Sequence, residues 1–178
     1  MLEVISVLLI AEIALLAYVI TIWGEFVFDD LLVLEFLRYT HHKQTIRTLW
    51  NQKRALLWLT YQRDMLLHAY NPQGWHSTNL AIHVVVSVTM YAILRYWFAT
   101  IPALLGASIV AVHPLGTSSV SSISGRSSAL CTMFLLMSVV AWLAGAWLMI
   151  PLLAYCGFKS KEEILILPVT LGALWLFG

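Results

Sequence analysis

The chain has 178 residues, of which 61% are hydrophobic and only 11% are charged, and its net charge is +1. Soluble domains carry roughly 25% charged residues, so the 10 basic and 9 acidic side chains are too few to cover a water-soluble fold. The small net charge gives no basis for nucleic-acid binding. The composition predicts a multi-pass integral membrane protein whose first partner is the lipid bilayer.

Apolar runs of about 20 residues predict transmembrane helices, because the hydrocarbon core of a bilayer is about 30 Å thick. The first run, residues 4–23, is too long for a signal peptide and lacks a basic N-terminal region, so we interpret it as an uncleaved signal anchor. Further runs, of which the last two are shorter than a full crossing, occupy residues 80–98, 101–112, 129–143, 145–158 and 164–177.

The predicted fold class is therefore all-α, a polytopic transmembrane bundle of five or six helices in a single domain spanning residues 1–178. The signal anchor occupies 1–23, an interfacial loop 24–76 and the helical bundle 77–178. The loop contains six of the ten basic residues, which are Arg38, Lys43, Arg47, Lys53, Arg54 and Arg63. Its apolar residues recur at helical spacing, which predicts one or two amphipathic helices at the membrane surface.

Two adjacent carboxylates, Asp29 and Asp30, follow the first helix. Neighbouring carboxylates repel each other, so one of them can have a raised pKa and act as a general base. They could equally bind a cation, orient a hydroxyl group or cap a helix where the chain leaves the bilayer.

A second polar segment begins at His113-Pro114 and ends at Arg126 and Ser128. Proline and glycine residues end the third span here and start a polar turn. Arg126 stands at a predicted helix start, where positive charge is disfavoured, and a phosphate or a carboxylate partner would relieve this. Arginine suits phosphate, because its planar guanidinium group binds two oxygens at once.

Charged residues also lie between the last two apolar runs, at Lys161 and Glu162, where charges that reach the membrane surface are the ordinary interpretation. His76 and His83 share one helix face, but no third metal ligand lies close to them in the sequence, so we expect no metal site and no cofactor.

Taken in order, these motifs resemble the N-terminal membrane half of the transmembrane O-mannosyltransferases that carry tetratricopeptide repeats, which are GT-C class glycosyltransferases. The motifs in chain order are Phe26-Val27-Phe28-Asp29-Asp30, Arg54-Ala55-Leu56, Gly74-Trp75-His76-Ser77-Thr78-Asn79, His113-Pro114, Ser124-Gly125-Arg126 and Lys161-Glu162. The resemblance covers residues 20–170 or so, and the order is more specific than any single motif.

The resemblance implies transfer of a sugar from a polyprenyl-phosphate donor to an acceptor hydroxyl on the outer or lumenal side. It implies that Asp29 or Asp30 is the catalytic base and that Arg126 and Lys161 contact the donor phosphate. Residues that shape the site would be His113, Arg54 and Glu162. This orientation opposes the positive-inside rule, which would place the basic loop in the cytoplasm; the loop's nearly balanced charge weakens that rule here.

The chain departs from the family pattern at three positions. Ala55 replaces the usual proline, and serines at 118 and 128 replace two usual acidic residues. The chain also has fewer predicted spans, five or six, than the ten or more of GT-C enzymes. The sequence therefore leaves two interpretations open: a lipid-linked-sugar transferase, or a catalytically inactive subunit that packs against other membrane proteins through small-residue helix faces.

Overall fold

The computed structural model describes residues 2–40 and 50–177, and in this part of the chain it contains helices and no strands. The predicted Lys43 and Arg47 of the loop lie outside the described residues. In chain order the helices are α1 (Leu2–Tyr18), α2 (Asp29–Thr40), α3 (Ala55–His68), α4 (Pro72–Trp97), α5 (Thr100–Val112), α6 (Thr117–Ser121), α7 (Arg126–Leu143), α8 (Met149–Phe158) and α9 (Leu167–Phe177). Short 3₁₀ turns occupy Val19–Trp23, Pro114–Gly116 and Glu162–Ile166.

Three helical segments of the described chain are long and apolar enough to cross a membrane: Leu2–Trp23, Pro72–Trp97 and Arg126–Leu143. A fourth crossing is formed if α5 and the segment Pro114–Ser121, which meet at 46°, count as one bent span. The predicted all-α, multi-pass membrane fold is confirmed. Its two predicted short helices correspond to α8 and α9, which have 10 and 11 residues and fall short of a full crossing.

Helices α1 and α4 run antiparallel and define the two ends of the bundle. At one end Arg95 pairs with Glu3 at 2.8 Å. At the other end Gly24 approaches His76. From Glu3 to Gly24 the chain advances by 21 residue steps, which rise about 30 Å at the helical rate and match the thickness of the hydrocarbon core.

Helix α5 packs against α1 and α4 through a stripe of small residues. Ala103, Ala107 and Ala111 are fully buried and recur every four residues, so they lie on one face of α5. Ile10 of α1 and Tyr91 of α4 pack against that stripe. Small side chains allow helices to approach closely, which is the usual basis of helix packing in membranes.

The 3₁₀ turn that follows α1 lies with the starts of α4 and α7, since Gly24 approaches His76 and Arg126 bonds to the Trp75 carbonyl. We call this end of the bundle the polar end. Both helices of the predicted interfacial loop, α2 and α3, pack there. They share a core in which Leu37 and Tyr61 contact Trp75 and Ile123. The described part of the loop thus contains helices as predicted, and their apolar faces cover the ends of the spanning helices.

Candidate functional site

Asp30, one of the two predicted catalytic carboxylates, is completely buried at the polar end. One carboxylate oxygen accepts hydrogen bonds from the Ser122 hydroxyl at 3.1 Å and from the Ser124 backbone N–H at 2.8 Å. The other oxygen accepts from the backbone N–H of Val27 at 3.3 Å. Asp30 therefore joins the start of α2 to the turn that precedes α7, and its oxygens are already occupied.

Asp29 is exposed beside this buried partner. It occupies the first turn of α2, where the positive end of the helix dipole favours a carboxylate. The preceding residue, Phe28, has a φ angle of +46° and an 89% exposed side chain. The bonds made by Asp30 fix the backbone beside Asp29, and the Asp29 side chain is exposed at that point.

Arg126, a predicted phosphate contact, is also completely buried and is held on several sides. It forms an ion pair of 2.7 Å with the equally buried Asp64. Its Nε donates to the Asn79 side-chain oxygen at 2.6 Å, and Nη2 donates to the Trp75 carbonyl at 3.0 Å. A phosphate or a carboxylate partner was expected for an arginine at this helix start. In the described structure the partner is the carboxylate of Asp64.

Aromatic rings complete the surroundings of Arg126. Its guanidinium carbon lies 4.9 Å from the centre of the Tyr61 ring and 5.8 Å from that of Trp75, which are cation–π distances. Burial raises the pKa of the Tyr61 hydroxyl, and this hydroxyl donates to the Ile123 carbonyl at 2.9 Å. Tyr61 thus connects α3 to the same turn that Asp30 holds.

Asp64 is a residue of this network that the sequence motifs did not single out. Its second oxygen accepts from the Thr78 hydroxyl at 3.0 Å and from Arg63 at 3.2 Å. One carboxylate therefore faces two guanidinium groups. The available signal was an acidic residue among the buried apolar positions of a predicted helix, which usually requires a buried cationic partner.

The turn of residues 122–128 is the centre of the polar end, because most of these contacts meet on it. Asn79 donates to the Ser122 carbonyl at 2.7 Å. A Cβ atom at Gly125 would lie 2.2 Å from the backbone oxygen of Ser118, so no larger residue fits there without displacing the chain. Glycine at this position allows the backbone to fold tightly over α6 before α7 begins.

Lys161, the other predicted phosphate contact, lies beside the first turn of α7. Its ammonium group donates to the Ser128 hydroxyl at 2.8 Å and pairs with Glu163 at 2.7 Å. The Lys161 side chain is 22% exposed. It remains accessible to a ligand, in contrast to Arg126.

Arg54 and Glu162, predicted to shape the site, pair with each other at 2.8 Å near the surface. A hydrogen bond from its own backbone N–H, and then the contact with Arg54, lower the pKa of the Glu162 carboxyl. The backbone N–H of Leu56 donates to the Lys159 carbonyl at 2.9 Å. These contacts attach the start of α3 to the segment that follows α8.

His113, the last predicted site residue, lies in a separate contact. Its ring Nδ1 accepts from the Leu115 backbone N–H at 3.2 Å, and its carbonyl accepts from the Tyr18 hydroxyl at 2.7 Å. It lines a mainly apolar cavity of about 300 Å³ together with His83 and Val86. In the described part of the chain, no three His, Cys, Asp or Glu side chains are placed to hold a metal ion together.

The structure thus places the predicted residues at one end of the bundle, in separate contacts and not in one cluster. Asp30 and Arg126 are buried and joined through the turn, Lys161 is partly accessible, and Asp29 is exposed. This arrangement can present a carboxylate and an ammonium group at one membrane surface. The catalytic and phosphate-binding roles of these residues stay predictions.

Comparison with known proteins bears on this arrangement. Over 152 residues the chain is 26% identical to the protein O-mannosyl-transferase TMTC3 of Mus musculus, covering 77% of this chain and 16% of the relative. It is 24% identical over 165 residues to TMTC4 of Homo sapiens, covering 76% of this chain and 22% of the relative. The chain is a distant relative of these O-mannosyl-transferases. The predicted resemblance is confirmed.

The similarity to the O-mannosyl-transferases extends beyond vertebrates. The Caenorhabditis elegans protein O-mannosyl-transferase F38B6.6 is 25% identical over 154 residues, covering 76% of this chain and 22% of the relative. The chain therefore spans only about a fifth of the length of these three relatives. No family model matches the chain. No solved structure matches it either.

Proposed function

We propose that this glycosyltransferase-like membrane protein transfers a sugar, mannose by analogy with its relatives, from a polyprenyl-phosphate donor to an acceptor hydroxyl. Asp29 is the general base that takes the proton of the hydroxyl. The sugar's anomeric carbon then bonds to the acceptor oxygen, and its bond to the donor phosphate breaks. Lys161 stabilises the charge that grows on the departing phosphate.

The observation that carries this proposal is the contrast between Asp29 and Asp30. The two carboxylate oxygens of Asp30 accept three hydrogen bonds, and these bonds fix the start of α2. Asp29 is exposed at that fixed point. A general base needs access to its substrate and a defined position, and a rigid neighbour supplies the second requirement. In this proposal Asp30 is a positioning residue.

A non-catalytic membrane subunit is the second candidate, and the state of Arg126 favours it. This side chain is completely buried and forms an ion pair with Asp64, and its Nε and Nη2 donate to Asn79 and to the Trp75 carbonyl. It would have to leave Asp64 to contact a donor phosphate. A transferase whose phosphate-binding arginine has become part of the protein core could persist as a scaffold for other membrane chains.

The test is sugar transfer by membranes that contain the full-length protein. The substrates are radiolabelled mannose on a dolichyl-phosphate carrier and a Ser/Thr-containing acceptor peptide. We expect Asp29→Asn to reduce transfer by about 100-fold, the lower range of what a general base contributes. Glu35→Gln is the matched control, because Glu35 is an exposed carboxylate on the same helix, and it should transfer at the wild-type rate.

Two results would overturn the proposal. One is wild-type transfer by Asp29→Asn. The other is no transfer by the wild-type protein while it co-purifies in fixed stoichiometry with other membrane chains, which would establish the subunit role instead. Asp30→Asn separates positioning from chemistry, since it should lower the unfolding temperature as well as the rate, whereas Asp29→Asn should lower the rate alone.

A further inference from the structure

A groove on the outer side of α4 is separate from the contacts of Asp29 and Lys161, and we call it the Arg63 groove. Its volume is about 360 Å³. It runs between α3, α4 and α7 and is lined by Arg63, His68, Gly74, Ser77, Thr78, Ala81, Ile82, Val85 and Met133. Ser77, Ala81 and Val85 are exposed and recur every four residues, so they form one outward stripe of α4.

Among the described residues, two guanidinium groups share one carboxylate beside the mouth of the groove, which leaves one positive charge in excess there. Asp64 contacts both Arg126 and Arg63, and Arg126 already pairs with it at 2.7 Å while fully buried. Arg63 contacts Asp64 at 3.2 Å through Nη1 only, and its side chain is 57% exposed. Within the described residues, Nε and Nη2 of Arg63 contact no protein acceptor. These donors are available to an anion.

The groove changes from polar to apolar along the helix axis. Arg63, His68 and Ser77 lie where α4 begins, at the polar end. Ala81 and Val85 lie one and two turns further into the span, so the apolar part reaches about 12 Å from Ser77. Met133 of α7 forms the opposite wall. The order of charge, hydroxyl and hydrocarbon is that of a lipid molecule in the same bilayer.

Gly74 shapes the mouth of the groove. A Cβ atom at this position would lie 2.1 Å from the ring of His68. The imidazole of His68 therefore rests directly against the backbone of α4, close to where Arg63 lies. The His68 ring and the Arg63 side chain both line this space.

We infer that the Arg63 groove binds an anionic phospholipid of the surrounding bilayer. The guanidinium group of Arg63 binds the phosphate through its unused donors, and one acyl chain lies along Ala81, Val85 and Met133. Arginine suits this role because its planar fork matches two phosphate oxygens. A free phosphate ion would use only the mouth and leave the apolar half of the groove empty. The site is independent of the proposed sugar transfer.

The experiment titrates phosphatidylglycerol into the purified full-length protein in detergent and counts bound lipid by native mass spectrometry. Phosphatidylcholine serves as the zwitterionic comparison. We expect Arg63→Gln to weaken phosphatidylglycerol binding about tenfold, since a charge-assisted hydrogen bond contributes roughly the free energy of a tenfold change. Arg38→Gln, at an exposed arginine of α2, is the matched control and should bind as the wild type does.

A second variant tests the apolar half without changing charge. Ala81→Trp fills the groove from its exposed stripe and should also weaken phosphatidylglycerol binding, while the Arg126–Asp64 pair and the unfolding temperature stay unchanged. Equal binding by all variants would overturn the inference. It would also be overturned if inorganic phosphate displaced the lipid and Ala81→Trp bound like the wild type, because that result describes a free-anion site.

Discussion

The two ends of the helical bundle each contain an arginine–carboxylate pair, in opposite environments. At the end where α1 begins, Arg95 and Glu3 pair at 2.8 Å with side chains 30% and 54% exposed. At the polar end, Arg126 and Asp64 pair at 2.7 Å with both side chains completely buried. The distances are nearly equal, so the difference between the pairs lies in the surroundings.

The difference in burial determines how much each pair contributes to the stability of the fold. Exposed ion pairs contribute little, because solvent and salt screen them and two long side chains must be ordered. In a buried pair, removal of one partner leaves an uncompensated charge in a medium of low polarity. The buried pair also has partners from α3, α4 and α7, which makes it a junction of the fold. Glu3 likewise accepts hydrogen bonds from Tyr91 of α4 and Thr100 of α5, so exposure, and not the number of connected helices, separates the two pairs.

The largest effect is expected for Arg126→Ala. This change leaves the buried Asp64 carboxylate without its cationic partner and creates a cavity beside the Tyr61 and Trp75 rings. It should therefore destabilise the protein by about 3–5 kcal/mol. Thermal unfolding in detergent, followed by circular dichroism, measures the loss. The double variant Asp64→Leu with Arg126→Met should recover much of it, because no buried charge is then left unpaired and Arg63, which also loses Asp64, is exposed to solvent. An unfolding temperature equal to the wild type for Arg126→Ala would refute the junction role.

A smaller loss is expected at Gly125. Its methyl group in Gly125→Ala would meet the Ser118 carbonyl oxygen at 2.2 Å, and backbone atoms cannot move aside as a side-chain tip can. Overpacking of this kind costs about 1–3 kcal/mol. Gly172→Ala in α9 is the control, since a methyl group there meets no atom of the described structure within 4 Å. If both variants have the same unfolding temperature, the tight approach of the turn to α6 is not required for stability.

The smallest effect is expected for Arg95→Gln at the opposite end. The change removes an exposed ion pair with Glu3, although the guanidinium group also donates to the Phe98 carbonyl. The unfolding temperature should fall only slightly, and raised salt should bring wild type and variant together, because salt screens exposed charges. A loss as large as that of Arg126→Ala would show that exposure does not separate the two pairs.

The membrane character and the positions of the first four predicted spanning segments were predictable from the sequence. Long apolar runs need only composition and length, and those at 4–23, 80–98 and 129–143 fall within the long segments Leu2–Trp23, Pro72–Trp97 and Arg126–Leu143 to within a residue. The start of α4 was less clear, since residues 72–79 are mostly polar. The signals there are Pro72 at the first turn, the Asn71 cap and the helical spacing of His76 and His83.

The site was predictable only in part. The adjacent Asp29 and Asp30 were recognisable, but their division into an exposed and a buried carboxylate was not. The Ser122 and Ser124 that bind Asp30 lie more than 90 residues away in sequence. The role of Asp64 was likewise not predicted, because its partner Arg126 lies far along the chain, at the start of α7.

By itself, the sequence determined that the chain enters the bilayer, roughly where its long helices lie, and which family it resembles. These properties depend on local composition and on the order of motifs. The tertiary structure decided which charges pair, since α3 and α7 bring Asp64 and Arg126 together only after packing. It also decided which carboxylate stays accessible, because burial is a property of the assembled helices and of the polar contacts that each buried group then requires.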